Sequence, residues 1–154
     1  MRLIRATRAD AAVLLEWRND PATRLGSFTE EPITAEAHAV WLAGIIADTQ
    51  GGLFLATDGS TRVGSVRIDR SGVISLIIAP AHRGKGHALP VLSAAELWAR
   101  LHTNLKELTA WIRLDNPISL RCFARAGYLE VPGRHRIKGH AACRCTRSLM
   151  DPQG

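Results

Sequence analysis

The chain has 154 residues, of which 46% are hydrophobic and 22% are charged, a size and composition typical of one globular domain. No apolar run approaches the ~20 residues that span a bilayer, and the opening segment with Arg2 and Arg5 lacks the apolar core of a signal peptide. The net charge of +6, mostly from arginine, suits a solvated surface or a phosphate-bearing small ligand better than a nucleic acid, because no basic stripe is interleaved with aromatic residues.

The first 48 residues are predicted to form a strand and two helices. Residues 1–6 alternate as in a strand, and a capping box at Thr7 predicts a helix that ends near Arg18. Pro21 breaks this helix, and residues 24–32 are predicted to form a loop. A second helix begins after its N-cap, Thr34, and its buried face is predicted to carry the residues that recur at helical spacing: Ala37, Val40, Trp41 and Ile45.

The middle of the chain is predicted to form three strands and a long helix. The strands cover residues 53–57, 62–69 and 73–79, and the third is apolar at nearly every position, as expected of a strand covered on both faces. A turn over residues 80–87 contains glycine and leads into a helix over residues 88–102.

The last third is predicted to form a strand, a helix and two more strands. A strand over residues 108–114 precedes the N-cap Asn116, and the helix that follows closes at Gly127. Residues 128–150 supply the final strands around a basic loop at residues 134–140. This order predicts one α/β (α+β) domain over residues 1–154, with a mixed central sheet of about six or seven strands and helices on both faces.

Three cysteines, an odd number, are typical of reduced thiols in a cytoplasmic protein and not of a disulfide framework. Their spacing predicts no metal site. Edge strands in the C-terminal third make a homodimer possible.

The strongest chemical signal is the turn after the third predicted strand. Gly84 and Gly86 can adopt positive φ, and the backbone N–H groups at the start of the next helix favour a phosphate. Arg83 and Lys85 add positive charge. On these residues alone, a purely structural strand-to-helix turn remains the alternative.

Two blocks resemble the GNAT superfamily of N-acetyltransferases. The turn resembles the family signature Arg/Gln-x-x-Gly-x-Gly/Ala and reads Arg83, Gly84, Lys85, Gly86, His87, Ala88. A later block resembles the pattern Asn-x-x-Ala/Ser-x-x-x-Tyr-x-x-x-Gly-Phe/Tyr and contains Asn116, Ser119, Phe123, Gly127 and Tyr128. The resemblance covers essentially the whole chain and implies the GNAT fold.

The resemblance implies acetyl-CoA as the cosubstrate. Its pyrophosphate would lie on the turn from Arg83 to Ala88, and its pantetheine arm would pair with the backbone of Ile77 and Ile78. A backbone N–H near Ile78 would stabilise the oxyanion. Asn116 would contact the arm, and the thiol end would be lined by two residues of the later block, Ser119 and Phe123.

The resemblance also implies direct attack by an amine, without a covalent enzyme intermediate. The family's usual general acid, a tyrosine, is replaced here by Phe123, which cannot donate a proton. The acid and base therefore stay open among Ser119, Cys122, His38, Glu36, His82 and water.

The N-terminal third resembles the branch that holds ribosomal-protein N-terminal acetyltransferases and acetyltransferases of nucleotide-linked 4-amino sugars. The resemblance implies a small-molecule amine as partner, with an amino-sugar nucleotide as first choice. Candidate acceptor-binding residues suit an anionic ring-bearing ligand: Trp17, Asn19, Arg24, Phe28 and His38. For Trp17 a core position is the alternative. Protein N-terminal acetylation, a non-catalytic acetyl-CoA-binding module and a nucleic-acid-binding domain are the other functions considered.

Overall fold

Seven strands and five α-helices make up the computed structural model, which describes residues 1–151. The strands are β1 Arg2–Arg5, β2 Gly52–Asp58, β3 Thr61–Ile68, β4 Ile74–Ile78, β5 Glu107–Arg113, β6 Leu129–Ile137 and β7 His140–Ser148. The α-helices are α1 Ala11–Asn19, α2 Pro21–Gly26, α3 Ala35–Ala47, α4 Ala88–His102 and α5 Pro117–Arg125. Within residues 1–151 no helix is both long enough and apolar enough to cross a membrane.

The strands form two antiparallel sheets and not the one mixed sheet predicted. One sheet has the order β1-β2-β3-β4 and the other β5-β7-β6. A single parallel bridge between Val73 and Thr109 joins them. The predicted α/β class is confirmed, and the strand count lies in the predicted range.

Helices cover both faces, as predicted, and each face has its own apolar core. On one face α4 buries Val91, Leu92 and Ala95 against both sheets. On the other face Leu14 and Trp17 of α1 pack with Leu42 of α3. Because the larger core joins both sheets, it holds them together although their strands barely pair.

The predicted helix starts are confirmed by their caps. The Asp10 carboxylate accepts a hydrogen bond from the Thr7 N–H at 2.9 Å. The Thr34 hydroxyl accepts from the Ala37 N–H, and the Asn116 side-chain oxygen Oδ1 accepts from the Ser119 N–H. Each cap satisfies a helix N–H group that has no partner within the helix.

Helix α2 was not predicted, because Asp20 and Pro21 were interpreted as a break. They also form a helix start: the Asp20 carboxylate accepts from the Thr23 N–H at 3.2 Å, and Pro21 occupies the first helical position. The predicted loop over residues 24–32 therefore begins only after Gly26.

The predicted buried face of α3 is wrong at Ala37, Val40 and Trp41, which are exposed, whereas Ile45 packs in part against the smaller core as predicted. His38 and Leu42 are buried, whereas Val40 is 76% exposed and Trp41 is 41% exposed. The helix is apolar on nearly every side, so periodicity could not distinguish its faces.

The predicted basic loop is also largely strand. Strands β6 and β7 run up to a tight turn at Lys138 and Gly139, both of which have positive φ. Basic residues occupy every second position at Arg134, Arg136 and Lys138, so this stretch lacks the apolar alternation that predicts a strand.

The cysteine prediction is consistent with the structure, in which Cys122, Cys143 and Cys145 are free thiols. Cys143 and Cys145 are buried on β7, and their sulfur atoms are 3.1 Å apart.

Tyr128 supplies a test of core packing. Its ring packs edge-to-face on Phe123 at 5.0 Å, and its buried hydroxyl has no hydrogen-bond partner. Burial raises the pKa of Tyr128. We expect Tyr128→Phe to increase the free energy of unfolding by about 1 kcal/mol, because it removes an unpaired buried polar group.

Urea unfolding measures this change, with Tyr128→Leu as the control. The leucine variant loses the ring contact and should be destabilised by about 1–3 kcal/mol. A phenylalanine variant less stable than the wild type would show that the hydroxyl is satisfied in solution.

Candidate active site

The candidate site is a gap between the two sheets. Beyond the Val73–Thr109 bridge, β4 and β5 make no further pairs in the described chain. Ile77 lies four residues after Val73, and Arg113 lies four residues after Thr109. The two would therefore be opposite each other if the strands continued side by side. Instead Ile77 and Ile78 pair with β3 along one edge only. Their other edge can pair with an extended ligand.

The predicted glycine turn lies at the end of this free edge. Gly84 and Gly86 have φ values of 74° and 80°, in the region that favours glycine. A Cβ at either position would meet no atom within 4 Å, so the turn surface is open. No side chain caps α4 at His87, which leaves the first N–H groups of that helix for a ligand. An open turn with free N–H groups fits a pyrophosphate.

Arg83, however, is already bound by α2. Its guanidinium donates to the Asp20 carboxylate at 2.9 Å and to the Thr23 hydroxyl at 2.7 Å. Burial alone would raise the pKa of Asp20, but hydrogen bonds from Arg83 and the Thr23 N–H outweigh it and hold that pKa below its usual value. The first helical turn of α2 is thus tied to the turn that follows β4.

The other end of α2 lies against α5. A Cβ on Gly26 would come within 2.8 Å of the Asn116 side-chain nitrogen. Since Asn116 follows β5 and Arg83 follows β4, α2 spans the gap between the two diverging strands. Only glycine at position 26 permits this close approach without displacing the Asn116 side chain.

Of the predicted cosubstrate residues in α5, Asn116 and Ser119 lie at its start. The Asn116 oxygen caps Ser119, and its amide nitrogen faces α2. Phe123 is 5% exposed and packs in the larger core. The Phe123 ring therefore offers almost no surface to a ligand, and it carries no proton to donate.

The side-chain candidates for proton transfer lie on three separate elements, with Glu36 on α3 like His38 and Cys122 on α5 like Ser119. His38 is 3% exposed, and its ring lies 5.4 Å from that of Trp41. Burial, with the nearby Arg18 guanidinium, lowers the pKa of His38, so its ring is neutral at pH 7. His82 lies in a short turn after β4 with its ring 5.9 Å from that of His87, and Ser119 lies in α5. Their assignment stays a prediction.

Several of the predicted acceptor-binding residues make structural contacts within the N-terminal third of the chain. Trp17 packs in the smaller core, as its alternative interpretation stated. The Asn19 amide makes two hydrogen bonds of 2.8 Å to the backbone of Ile33. Arg24 donates to the backbone oxygens of Asn19 and Glu30. Phe28 is partly exposed and remains a candidate for ligand contact.

A group of charged residues around residues 27–30 was not predicted from the sequence. Arg113, at the end of β5, donates to the Ser27 backbone oxygen and to the Glu30 carboxylate. Lys138, in the β6–β7 turn, donates to the Thr29 hydroxyl at 2.6 Å. These residues are 83 to 109 positions apart in the chain from their partners, so no local pattern connects them.

Within residues 1–151, no three His, Cys, Asp or Glu side chains are grouped as a metal site would require.

Residues 1–129 match the family model described as the acetyltransferase (GNAT) domain. An uncharacterized N-acetyltransferase, YfmK of Bacillus subtilis (strain 168), is 33% identical over 91 residues, which cover 57% of this chain and 61% of that relative. The match therefore spans about three-fifths of the length of this curated relative.

Solved structures share the fold at lower sequence identity. The spermidine N-acetyltransferase from Vibrio cholerae in complex with CoA and spermine superposes with a TM-score of 0.83 at 22% identity, covering 96% of this chain and 95% of that one. A mutant form of the spermidine/spermine N-acetyltransferase SpeG from the same organism gives 0.77 at 21% identity, covering 96% and 93%.

The Asp20–Arg83 contact yields a prediction for ligand affinity. Asp20→Asn keeps an effective N-cap but removes a carboxylate beside the glycine turn. We expect acetyl-CoA to bind about two- to fivefold more tightly, because one negative charge near the pyrophosphate is lost and Arg83 is freed.

Calorimetric titration at low and moderate salt measures the change. Asp48→Asn is the matched control, since Asp48 pairs with Arg70 at 2.9 Å at the end of α3 and its loss changes the net charge equally. Equal affinities in both variants would show that Asp20 does not compete with the pyrophosphate for Arg83.

Proposed function

Because the chain belongs to the GNAT acetyltransferase family, we propose that it transfers the acetyl group of acetyl-CoA to a primary amine of a small molecule. One observation carries the proposal: the free edge of β4 leads directly into an open glycine turn at the start of α4. An extended thioester with a pyrophosphate at its far end suits this pair of features. The edge offers backbone hydrogen bonds, and the turn offers free N–H groups.

Proposed roles follow from this placement. Gly84, Gly86 and the start of α4 would hold the pyrophosphate, while Ile77 and Ile78 would pair with the pantetheine amides. The backbone N–H near Ile78 would donate to the thioester oxygen as negative charge develops on it. Ser119 lies at the start of α5, across the gap.

The acetyl transfer is a direct displacement. The amine nitrogen bonds to the carbonyl carbon, the carbon–sulfur bond breaks, and the CoA thiolate leaves. The amine loses one proton, and the thiolate or solvent takes it up. A thiol pKa of about 8.5 makes the leaving group a weak base, so a tyrosine at the position of Phe123 is not required for the balance.

The charges near residues 27–30 support an anionic amine as acceptor. Four cationic side chains contact these residues, namely Arg18, Arg24, Arg113 and Lys138. Two carboxylates lie among these cations, those of Glu30 and Asp115, and both are bound to Arg113. Arg18 also has a buried guanidinium nitrogen with no acceptor. A phosphate would compensate this excess positive charge, and we therefore propose a nucleotide-linked amino sugar as first choice.

A polyamine is the second candidate, because the Vibrio cholerae neighbours are spermidine N-acetyltransferases. The four cationic side chains near residues 27–30 argue against a polyamine, because it carries several positive charges at neutral pH and would be repelled by them.

A panel of amines separates the candidates. We expect release of free CoA thiol to be fastest with a nucleotide-linked 4-amino sugar, slower with the neutral methyl glycoside of that sugar, and slowest with spermidine. The KM of the nucleotide-linked amine should rise with salt, because charge attraction is screened. Preference for spermidine would overturn the anionic acceptor. No turnover of any amine, despite acetyl-CoA binding, would indicate a binding module.

Gly86→Trp tests the cosubstrate site. A tryptophan side chain would fill the open turn, and we expect acetyl-CoA affinity to fall about tenfold or more. Calorimetry measures the affinity, and thermal unfolding verifies the fold.

Gly59→Trp is the matched control for this substitution. Gly59 also has positive φ and open space around it, but it lies in the β2–β3 hairpin. Unchanged affinity in Gly86→Trp, or an equal loss in Gly59→Trp, would contradict the cosubstrate assignment.

A further inference from the structure

We infer that Arg113 is a positioning residue, which holds residues 27–30 at the end of the gap where the amine must enter. The inference rests on the proposed function. It predicts that Arg113 sets the affinity for the amine and leaves the affinity for acetyl-CoA unchanged.

The contacts of Arg113 lock its guanidinium in place. Two of its nitrogens donate to the Asp115 carboxylate at 2.8 and 2.6 Å. The third donates to the Ser27 backbone oxygen at 2.9 Å and to the Glu30 carboxylate at 2.7 Å. The hydrogen bonds to Asp115, and to a smaller extent the one to Glu30, raise the pKa of Arg113 above its usual value. A bidentate pair of this kind fixes the direction of the guanidinium plane as well as its position.

Asp115 and Glu30 have different roles in this arrangement. Asp115 lies two residues after Arg113 on the same segment, so that pair orients the guanidinium locally. Ser27 and Glu30 belong to the N-terminal segment, more than 80 residues away in sequence. Arg113 therefore connects that segment to the end of β5.

Burial separates Arg113 from Lys138 and Arg24, two of the other cations near this segment. Its side chain is 6% exposed, whereas that of Glu30 is 46% exposed and that of Asp115 is 67% exposed. Lys138 and Arg24 make exposed contacts with Thr29 and Glu30. Exposed pairs contribute little to stability, so the segment is held chiefly by Arg113 and by the part-buried Arg18, which donates to the Thr29 backbone oxygen at 3.2 Å.

The position of Arg113 links this contact to the reaction. Arg113 ends β5 and lies across the gap from Ile77 in the register set by the Val73–Thr109 bridge. The thioester would lie along β4 at Ile77 and Ile78, so the segment fixed by Arg113 borders the side from which an amine approaches. A segment that moves there raises the entropic cost of amine binding.

Arg113→Met is the informative substitution because it should fold. Removing the guanidinium leaves two carboxylates, both well exposed to water, and no charge is left buried without a partner. Arg113→Lys is the conservative variant, which keeps the charge but cannot bind Asp115 and the segment at the same time.

Arg144→Met is the matched control. Arg144 lies on β7 in the same sheet and pairs with Glu107 at 3.2 Å. It touches neither the segment nor the gap residues named above, and its loss changes the net charge by the same amount.

Two measurements test the inference. Hydrogen–deuterium exchange, without any ligand, should be faster in Arg113→Met at residues 27–31 and unchanged in Arg144→Met. In steady-state kinetics the KM for the best amine of the panel should rise about tenfold or more, as loss of a charged hydrogen-bond pair predicts. The calorimetric affinity for acetyl-CoA should stay within about twofold, and Arg113→Lys should recover part of the amine KM.

Unchanged exchange at residues 27–31 would overturn the positioning role, as would an equal loss of affinity for acetyl-CoA. If the wild type acetylates no amine but exchange still increases in Arg113→Met, the proposed function fails while the structural contact stands. If the wild type turns over and Arg113→Met has an unchanged amine KM, the inference fails and the function stands.

Discussion

The site depends on the early separation of two strands. Strands β4 and β5 share one parallel bridge and then diverge, which leaves the backbone of Ile77 and Ile78 without a strand partner on one edge. Unpaired backbone groups at the end of a sheet are costly when buried and need water or a ligand. The large core formed with α4 and α5 keeps the two sheets together despite this gap. The domain is therefore stable with an opening where an extended ligand can complete the backbone hydrogen bonding.

Helix α2 and Arg113 organise the two borders of this opening. Helix α2 contacts Arg83 of the glycine turn at one end and Asn116 at the other. Arg113 fixes the segment that follows α2 to the end of β5. The proposed cosubstrate turn and the proposed amine entrance are thus joined through a helix of six residues. Helix α2 has no buried residue, so it can shift at a lower cost in free energy than an element of the core.

Local patterns in the sequence predicted most of the fold, and distant contacts account for what they missed. Caps such as Thr34 and Asn116 located helix starts because they act within three residues. The glycine turn was recognised because the positive φ at Gly84 and Gly86 favours glycine, and the α5 block was recognised because its residues resemble a family pattern. The family prediction that rested on these blocks is confirmed.

Helix α2 was missed because Asp20 and Pro21 fit both a break and a start. The interactions of Arg113 with Ser27 and of Lys138 with Thr29 join residues far apart in the chain. No periodicity or motif reports such pairs, and only the folded arrangement of β5, the β6–β7 turn and the N-terminal segment brings them together.

The most direct test of the central claim is amide hydrogen exchange of the wild-type chain with and without CoA. If CoA binds in this gap, amide exchange should slow in two places at once. One is the β4 edge at Ile77 and Ile78, where the pantetheine arm would pair, and the other is the turn over residues 84–88, where the pyrophosphate would bind. The β2–β3 hairpin around Gly59 should be unaffected. Unchanged exchange at both places under conditions where CoA binding is measurable by calorimetry, or protection only elsewhere, would contradict the assignment of this gap as the acetyl-CoA site.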